Sequence, residues 1–380
     1  MSAVGPLSTP GQPTQPALSA RGALSSVFEL TERPGLYVIA EAGVNHDGSV
    51  ADAHALVDLA ADTGADAIKF QTFDPAALVS ATAQTAAYQA ASTGVATQRE
   101  LLERYVLPAG AWPELRDHAI ERGVDFLSTA FDLASLDLVC ELGVHALKLG
   151  SGELTNKPLL TEVARRGLPV LCSTGMGAEA EVGDAVGWLA PAPGLLLMHC
   201  VSSYPAPVEQ ANLRALESMR RRFELPVGWS DHTVGTVAAV ASVALGAAAL
   251  EKHVTLDRSR PGPDHAASAD RDGFADYVRQ VRDAHAALGD GVKRPVAAEA
   301  ATTPLVRRSW HAARDLHEGE LVGPADVALL RPADGIAPAQ DVIGQRLVHS
   351  VPQGSPLRAD DLDDNRDDAL DGALAGPSHD

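Results

Sequence analysis

Residues 36–70 read LYVIAEAGVNHDGSVADAHALVDLAADTGADAIKF, with an apolar run at each end and a longer amphipathic stretch between them. The apolar runs, residues 36–42 and 66–70, have the length and the content of aliphatic and aromatic side chains that favour β-strands. The stretch 50–62 favours an α-helix, because Ser49 precedes it with an acidic residue three positions later, as in a capping box. The segment therefore predicts one strand–helix–strand unit.

The same unit recurs along most of the chain. Short apolar runs followed by amphipathic stretches occur at residues 36–42, 66–70, 124–127, 145–149, 168–172, 195–198, 225–229 and 248–254. Strands that alternate with helices form parallel sheets, and eight such units close into a barrel. We therefore expect an α/β protein built on a (β/α)8 TIM barrel. A doubly wound open sheet is the alternative fold.

The pattern divides the chain into a barrel, a small second domain and two tails. We expect the barrel domain over residues 31–290, a linker over 291–304 and a small β-rich domain over 305–365. Residues 1–30 are rich in Pro, Ser, Ala and Gly, and residues 366–380 belong to an acidic segment rich in Asp. Such compositions do not bury enough apolar surface to fold, so both tails are predicted to be disordered.

The composition argues against several classes of protein. The formal net charge of −20 disfavours nucleic acid as a partner, because surfaces that bind nucleic acid are basic. No apolar run reaches the roughly 18 residues that a membrane span needs, so no membrane partner is expected. The N-terminus lacks the pattern of a secretory signal, and three cysteines are too few for a disulfide framework. We expect a cytoplasmic protein with reduced thiols.

Polar and charged side chains follow almost every predicted strand. In a parallel barrel these positions meet at one face, which carries the active site in enzymes of this fold. The side chains concerned are Glu41, Asn45, His46, Lys69, Gln71, Ser128, Thr129, Lys148, Ser151, Glu153, Ser173, Thr174, His199, Ser230, Asp231, His232, Glu251 and His253. A ring of such residues predicts a polar active site.

Two pairs within this ring indicate specific chemistry. His232 and His253 end the seventh and eighth strands, which are neighbours in a closed barrel, and paired imidazoles suit a divalent first-row metal. On spacing alone, however, two ordinary hydrogen-bonded histidines are the commoner explanation. Lys69 and Lys148 end the second and fourth strands, where a lysine can form a Schiff base or bind an anion. Nearby hydroxyls and glycine-rich turns favour a substrate that carries phosphate.

The motifs resemble those of the bacterial sialic acid synthases. They are IAEAGVNHDG (39–48), KFQTFDP (69–75), STAFD (128–132), KLGSGEL (148–154), LCSTGMG (171–177), MHCVSSYPAP (198–207), GWSDHTVG (228–235) and LEKHVTLDRSRPGPDHAAS (250–268). Two further motifs resemble the antifreeze-like (SAF) domain of that family, LLRPADGI (329–336) and IGQRLVHSVPQGSPLRADDL (343–362). The resemblance extends from about residue 36 to residue 362.

The resemblance implies a metal site and a phosphoenolpyruvate site. His232 and His253 match the metal-binding histidines of the family, for which Mn²⁺ is the usual ion and Mg²⁺ or Co²⁺ are possible. The positions that match residues binding phosphoenolpyruvate are Thr129, Lys148, Ser173, Ser202 and Ser230, and Ser151 beside them is assigned to substrate binding as well. The protein is therefore expected to need a divalent metal.

The resemblance also implies an acceptor site and a dimer. The positions that match residues around the metal-bound water and the acceptor sugar are Glu41, Lys69, Gln71, Glu153, Tyr204 and Asp264. Glu41, Lys69 and Glu153 are the expected catalytic residues, with either glutamate as the base. Arg331 matches an arginine that the antifreeze-like domain of a partner subunit inserts near the N-acyl group of the sugar. A domain-swapped homodimer is therefore expected.

The implied activity is the metal-dependent condensation of phosphoenolpyruvate with an N-acylated hexosamine in its open-chain form, with release of phosphate by C–O cleavage. N-Acetylmannosamine is the first expected acceptor, and it would give N-acetylneuraminate. The alternative is a diacetamido-trideoxy hexose, which would give a legionaminic- or pseudaminic-type acid. Two other classes stay open: an aldolase that forms a Schiff base through Lys69 or Lys148, and a non-catalytic carbohydrate-binding protein.

Overall fold

The computed structural model of the protein describes residues 27–28, 35–84 and 95–363. These residues form two compact units, and the first unit ends at Asp290. The predicted tail at 366–380 lies outside the described residues, and so does the tail at 1–30 apart from residues 27–28. In the described part of the chain, no helix is both long and apolar enough to cross a membrane.

The first unit is a closed barrel of parallel strands that follow one another around the barrel in chain order. The strands are β1 (Tyr37–Gly43), β2 (Ala67–Thr72), β3 (Asp125–Ala130), β4 (Leu147–Leu149), β5 (Val170–Ser173), β6 (Leu195–Cys200), β7 (Val227–Asp231) and β8 (Ala249–His253). Each strand overlaps one of the predicted apolar runs. The predicted (β/α)8 barrel is therefore confirmed, and the open-sheet alternative is wrong.

Helices connect the strands on the outside. The described helices of this unit are α1 (Val50–Asp62), α2 (Pro75–Leu78), α3 (Gln98–Glu103), α4 (Ala111–Glu121), α5 (Leu133–Glu141), α6 (Lys157–Arg165), α7 (Glu179–Leu189), α8 (Arg214–Phe223), α9 (Val237–Ala244) and α10 (Arg271–Ala287). Helix α1 begins where the sequence predicts, because the Ser49 hydroxyl accepts a hydrogen bond of 3.2 Å from the Asp52 amide. Three 3₁₀ turns, Ser151–Glu153, Val208–Gln210 and His265–Ala267, lie among them.

Two apolar layers stabilise the barrel. The larger layer lies between strands and helices and includes Phe70, Trp112 and Trp229. The smaller layer fills the barrel interior and includes Tyr37 and Ile39. Bulky side chains in this interior make the barrel a packed core rather than a pore.

The second unit is small and has little regular structure. Its elements are the 3₁₀ turn Ala297–Glu299, helix α11 (Thr303–Val306), strand β9 (Ser309–Ala312), strand β10 (Val327–Leu330) and the 3₁₀ turn Ala359–Asp361. Strands β9 and β10 pair in antiparallel fashion. A core of aliphatic side chains packs around them, namely Ala312, Leu316, Val322, Val327, Val342, Leu347, Val351, Leu357 and Leu362.

The segment predicted as a linker, residues 291–304, contains helical turns that its composition did not predict. The Glu299 carboxylate accepts a hydrogen bond of 2.9 Å from the Val296 amide, which caps the first turn. Pro304 occupies the first turn of α11, where a missing amide hydrogen is tolerated. Single side chains of this kind stabilise short turns without the periodicity that identifies longer helices.

Candidate active site

The polar end of the barrel follows from the alternation of side chains along each strand. Ala249 of β8 packs inside the barrel, whereas Leu250 packs outside against the helices. Because successive side chains of a strand point to opposite faces, Glu251 and His253 share the inward face with Ala249. Strand β1 repeats this pattern, since Ile39 packs inside and Glu41 follows two residues later. The inward positions are thus apolar where a strand begins and polar where it ends.

A cavity of about 430 Å³ opens among these polar strand ends. It is lined by Glu41, Lys69, Gln71, Gln98, Thr129, Phe131, Lys148, Gly150, Ser151, Gly152, Ser173, Met176, Cys200, Ser202, Tyr204, Ser230, His232, Glu251 and His253. The structure therefore brings together all of the predicted site residues except Glu153, Asp264 and Arg331. The volume of the cavity lies within the range of small-molecule sites.

Two lysines and two carboxylates form a buried charge network in this cavity. The Lys69 ammonium lies 2.6 Å from Glu41 and 3.8 Å from Glu251. The Lys148 ammonium lies 3.6 Å from the same Glu251 oxygen. All four side chains are at most 5% exposed, so water screens their interactions very little. Glu251 is the carboxylate that the two lysines share.

The network gives its two carboxylates different proton affinities. Burial raises the pKa of Glu41 to about 7, although the neighbouring Lys69 ammonium opposes this shift. Burial would also raise the pKa of Glu251, but Lys148 and Lys69 outweigh it and hold that pKa at about 2. Glu251 is therefore ionised at any physiological pH, whereas Glu41 can gain or lose a proton near neutrality.

Hydroxyl groups surround Lys148 on one side of the cavity. The Lys148 ammonium donates a hydrogen bond of 2.7 Å to the Ser173 hydroxyl. The Gly175 amide donates a bond of 3.0 Å to the Ser151 hydroxyl. Ser230 donates to Glu251 at 3.1 Å. One ammonium among several hydroxyls, beside a glycine turn that directs an amide hydrogen inward, is an arrangement that suits an anion.

The two predicted metal ligands face each other across the cavity. The rings of His232 and His253 have their centroids 5.7 Å apart, and the Tyr204 ring lies 4.2 Å from that of His232. Burial lowers the pKa of both histidines, that of His253 to about 4, so both imidazoles are neutral at physiological pH. Neutral imidazole is the form that binds metal ions.

The surroundings of these histidines fit a metal ion whose other ligands are not protein side chains. His232 Nδ1 lies 2.7 Å from the Val201 carbonyl oxygen, and as a donor to it leaves Nε2, which contacts only the Ser230 hydroxyl at 3.4 Å, as the ligand atom. His253 Nδ1 is buried without a hydrogen-bond partner, an arrangement that a metal ion nearby would explain. Within residues 27–28, 35–84 and 95–363, no three His, Cys, Asp or Glu side chains are arranged to hold a metal. Positions left open for substrate are typical of catalytic rather than structural sites.

Three predicted residues lie elsewhere. The Glu153 carboxylate does not line the cavity but accepts a hydrogen bond of 2.6 Å from Asn156, the N-cap residue of α6. Asp264 lies behind the histidine pair, with its carboxylate 3.7 Å from His253 Nδ1. Arg331 directly follows β10 in the second unit and is exposed.

The cavity also contains residues that the prediction of site residues omitted. Glu251 was recognised as a polar strand end but received no role, although it lies two residues before His253 and so shares its inward face. Gln98 begins helix α3, far in sequence from any strand end, and no pattern in the sequence indicates its position. Phe131, Gly150, Gly152, Met176 and Cys200 complete the set. Burial raises the pKa of the Cys200 thiol, which disfavours a nucleophilic role.

Comparisons with known proteins match both units. The NeuB family model matches residues 56–293, and the SAF domain model matches residues 307–363. An N,N'-diacetyllegionaminic acid synthase of Legionella pneumophila is 42% identical over 84% of this chain and 93% of its own length. A protein of the same name from Campylobacter jejuni is 40% identical over 79% of this chain and 91% of its own length. A crystal structure of the N-acetylneuraminic acid synthetase of Leptospira borgpetersenii, in complex with citrate, has a TM-score of 0.63 and 32% identity. That likeness covers 71% of this chain and 90% of the other.

Proposed function

The chain belongs to the NeuB family of sugar-acid synthases, and from that premise we propose that it condenses phosphoenolpyruvate with a diacetamido-trideoxy hexose to give a legionaminic-type acid. The identity of 42% to a synthase of N,N'-diacetyllegionaminic acid carries this proposal. The likeness to an N-acetylneuraminic acid synthetase is weaker, at 32% identity. N-Acetylmannosamine, the acceptor expected first from the sequence, is therefore replaced by the diacetamido alternative.

The proposed reaction joins two small molecules and releases phosphate. The acceptor reacts as an open-chain aldehyde, and C3 of phosphoenolpyruvate attacks the aldehyde carbon to form the new C–C bond. Positive charge then develops at C2, water adds there, and the C2–O bond to phosphate breaks. The attacking water loses both of its protons overall, one to the aldehyde oxygen and one to the departing phosphate, as C2 becomes the ketone carbon. The protein must therefore hold two substrates in line and manage these protons.

The hydroxyl-lined side of the cavity supplies the phosphoenolpyruvate site in this proposal. Lys148 is the cation, and the Ser173 hydroxyl at 2.7 Å fixes the position of its ammonium. Ser151 presents a further hydroxyl on the same side, and Ser230 lines the cavity with its own hydroxyl donated to Glu251. Glu251 already balances part of the positive charge of Lys148. Phosphoenolpyruvate, a trianion when fully ionised, is therefore recognised mainly by directed hydrogen bonds in a buried site.

His232 and His253 would hold the divalent metal, for which we propose Mn²⁺. A bound divalent ion supplies Lewis-acid polarisation of the aldehyde carbonyl. Tyr204 packs against both imidazoles, at centroid distances of 4.2 Å and 5.4 Å, and so limits their rotation. Asp264 lies 3.7 Å from His253 Nδ1, too far for a hydrogen bond, and so leaves that nitrogen available to the metal.

Glu41 is the proposed proton acceptor for the water that adds at C2. Its pKa of about 7 allows it to take up a proton and release it again near neutral pH. Strand register places Glu41 between Lys69 of β2 and His253 of β8. This position supports a role beside the proposed metal site. Glu153, the competing base, points away and accepts a hydrogen bond from Asn156.

The electrostatics of Lys69 disfavour the aldolase alternative through that residue. A Schiff base requires a neutral amine. Burial would lower the pKa of Lys69, but Glu251 and Glu41 outweigh it and raise that pKa above its ordinary value. Lys69 therefore stays protonated and is suited to hydrogen bonding rather than to covalent catalysis.

The proposal is tested by measuring phosphate release from phosphoenolpyruvate with a panel of acceptors. We expect rapid release with a 2,4-diacetamido-2,4,6-trideoxy hexose, slower release with N-acetylmannosamine and none without an acceptor. Chelation should abolish release and Mn²⁺ should restore it. Equal or faster release with N-acetylmannosamine would overturn the proposed acceptor, and full activity after chelation would overturn the metal site. Inactivation by borohydride in the presence of pyruvate would favour the aldolase.

A further inference from the structure

The active-site cavity has one side to which neither the phosphate nor the metal proposal assigns a ligand. Lys148, Ser173 and Ser202 lie toward β4–β6, and the two histidines lie toward β7 and β8. On the remaining side, which follows β2 and β3, Lys69 and Thr129 are hydrogen-bonded to each other, and Gln71, Phe131 and Gln98 line the rest of the wall. These three side chains combine two amides with one aromatic ring.

This side has the chemistry of a site for an acylamino group. Such a group presents an N–H donor, a carbonyl acceptor and a methyl group. A primary amide can pair with both polar parts, and an aromatic ring can bury the methyl group. The diacetamido hexose proposed as acceptor carries one more acylamino group than N-acetylmannosamine. A site that separates the two sugars must recognise that additional group.

The two glutamines of the cavity differ in their existing hydrogen bonds. The Gln71 amide donates a bond of 3.0 Å to Glu41. Among the described residues, no group forms a hydrogen bond with the side-chain amide of Gln98, which is half-buried at the cavity wall. Gln98 therefore has its full hydrogen-bonding capacity available for a ligand, whereas Gln71 has a role within the charge network.

Gln98 is held in place by contacts that are separate from the reacting groups. Its backbone amide donates a bond of 3.0 Å to the Ala83 carbonyl oxygen. The next residue, Arg99, donates a bond of 2.7 Å to the Val79 carbonyl oxygen. Behind the helix lies a cluster of buried side chains, namely Val44, Phe73, Val95, Leu101 and Tyr105, against which Phe131 packs. A side chain whose backbone is held by such contacts can discriminate between ligands.

We propose that Gln98 is a specificity-determining residue that binds the acylamino group present in a diacetamido hexose and absent from N-acetylmannosamine. Phe131 receives the methyl end of the same group. The inference rests on the proposed function, because it assumes that phosphoenolpyruvate and an amino sugar react in this cavity. Gln98 takes no part in the bond-forming steps, so its removal leaves the chemistry intact.

The test compares both acceptors with wild-type protein and Gln98→Leu at saturating phosphoenolpyruvate and Mn²⁺. Leucine has a similar volume but no hydrogen-bonding atoms. We expect kcat/KM for the diacetamido sugar to fall about tenfold or more, the usual effect of leaving a buried polar group unpaired. The value for N-acetylmannosamine should change by less than about threefold. Gln210→Leu makes the same replacement at an exposed site outside the cavity and should change neither value.

The two arms of the experiment separate the inference from the function on which it rests. A wild-type enzyme that uses N-acetylmannosamine at least as well as the diacetamido sugar would overturn the proposed acceptor. A wild-type enzyme that prefers the diacetamido sugar, with the same preference in Gln98→Leu, would overturn only the inference. Equal losses of kcat/KM for both acceptors in the variant would also overturn the inference, because they would show that Gln98 shapes the cavity without distinguishing the two sugars. A selective loss supports it.

Discussion

At the scale of single residues, Lys148 is a cation held among hydroxyls and a shared carboxylate. Replacing Lys148 with alanine leaves an anionic substrate and Glu251 without their common partner in a buried site. We expect the variant to lose about 2–5 kcal/mol of transition-state stabilisation. The loss should appear as a lower kcat/KM for phosphoenolpyruvate, mostly through a raised KM. Initial rates of phosphate release at saturating acceptor measure this. The control is Lys157→Ala, which replaces an exposed lysine of α6 outside the cavity. Unchanged kinetics in the Lys148 variant would mean that the anion binds elsewhere.

His46 makes the stability of the barrel depend on pH. Burial lowers its pKa to about 4, and its Nδ1 accepts a hydrogen bond of 3.1 Å from the Gly48 amide, which requires the neutral ring. The unfolded chain binds this proton near its ordinary pKa of about 6.5, so the folded state loses stability as the pH falls from about 6.5 to 4. Above that window the contribution is complete, and across it the loss is about 3 kcal/mol.

The measurement for His46 is urea unfolding at a series of pH values between 4 and 7. His46→Asn keeps an acceptor for the Gly48 amide but does not titrate, so its unfolding free energy should vary less with pH than that of the wild type. The variant has a lower absolute stability because the smaller side chain leaves a cavity. Only the slope of the unfolding free energy against pH therefore tests the role of His46. Identical slopes for the two proteins would show that His46 is not the titrating group.

Residues differ in how far the sequence can predict their place in the site. Glu41, Lys69 and Lys148 are each found from the strand that they end, because a parallel barrel brings all strand ends to one face. The role of Glu251 depends on its distances to two lysines on other strands, which no local pattern encodes. Gln98 reaches the cavity through the packing of a short helix on Phe73 and Phe131, and this too is a tertiary property.

At the scale of elements, strands were predicted more reliably than short turns. Strand β1 (Tyr37–Gly43) coincides closely with its predicted run, 36–42, because a parallel strand buried on both faces leaves a nearly continuous apolar signal. The turn at Ser151–Glu153 has no such signal, and it directs Glu153 toward Asn156 rather than into the cavity. In the predicted linker, the 3₁₀ turn Ala297–Glu299 depends on the cap from Glu299, and helix α11 begins with one proline. Short elements that are stabilised by single contacts cannot be predicted from hydrophobic periodicity, because they contain too few residues to show a repeat.

The turn after β5 offers a prediction at the same scale. A Cβ atom added to Gly175 would lie 2.8 Å from both Cys200 Sγ and Ser151 Oγ, and closer still to Ser202 Oγ. Gly175→Ala must therefore displace hydroxyls at the proposed anion site. We expect a loss of about 1–3 kcal/mol of transition-state stabilisation, measured as a lower kcat/KM for phosphoenolpyruvate. Gly187→Ala in helix α7, where no atom lies within 4 Å of the added carbon, is the matched control.

The two glycine variants should differ in both activity and stability. Gly187→Ala should be fully active and more stable by up to about 1 kcal/mol, because alanine favours helix over glycine. Thermal unfolding and steady-state kinetics of both proteins test this. A fully active Gly175→Ala enzyme would mean that the hydroxyls around this turn can move without loss, and that they do not position the substrate.

At the scale of the whole molecule, the barrel cavity lacks one of the groups that the family resemblance implies. Among the described residues that line the cavity, none is an arginine. Arg331, which the resemblance assigns to the N-acyl group of the sugar, belongs to the second unit. We propose that the second unit of one subunit completes the cavity of its partner in a homodimer, so that each active site is made by two chains.

Complementation between two inactive variants tests this proposal. A His232→Ala chain has a defective barrel and an intact second unit, and an Arg331→Ala chain has the reverse, so each homodimer should be inactive or severely impaired. Heterodimers purified from co-expression with two different tags should contain one intact site and one doubly defective site. We therefore expect about half of the wild-type activity, from the two-fold symmetry of such a dimer. If Arg331 instead serves its own barrel, both sites of the heterodimer carry one defect and no activity returns. A monomer in solution would contradict the shared site directly.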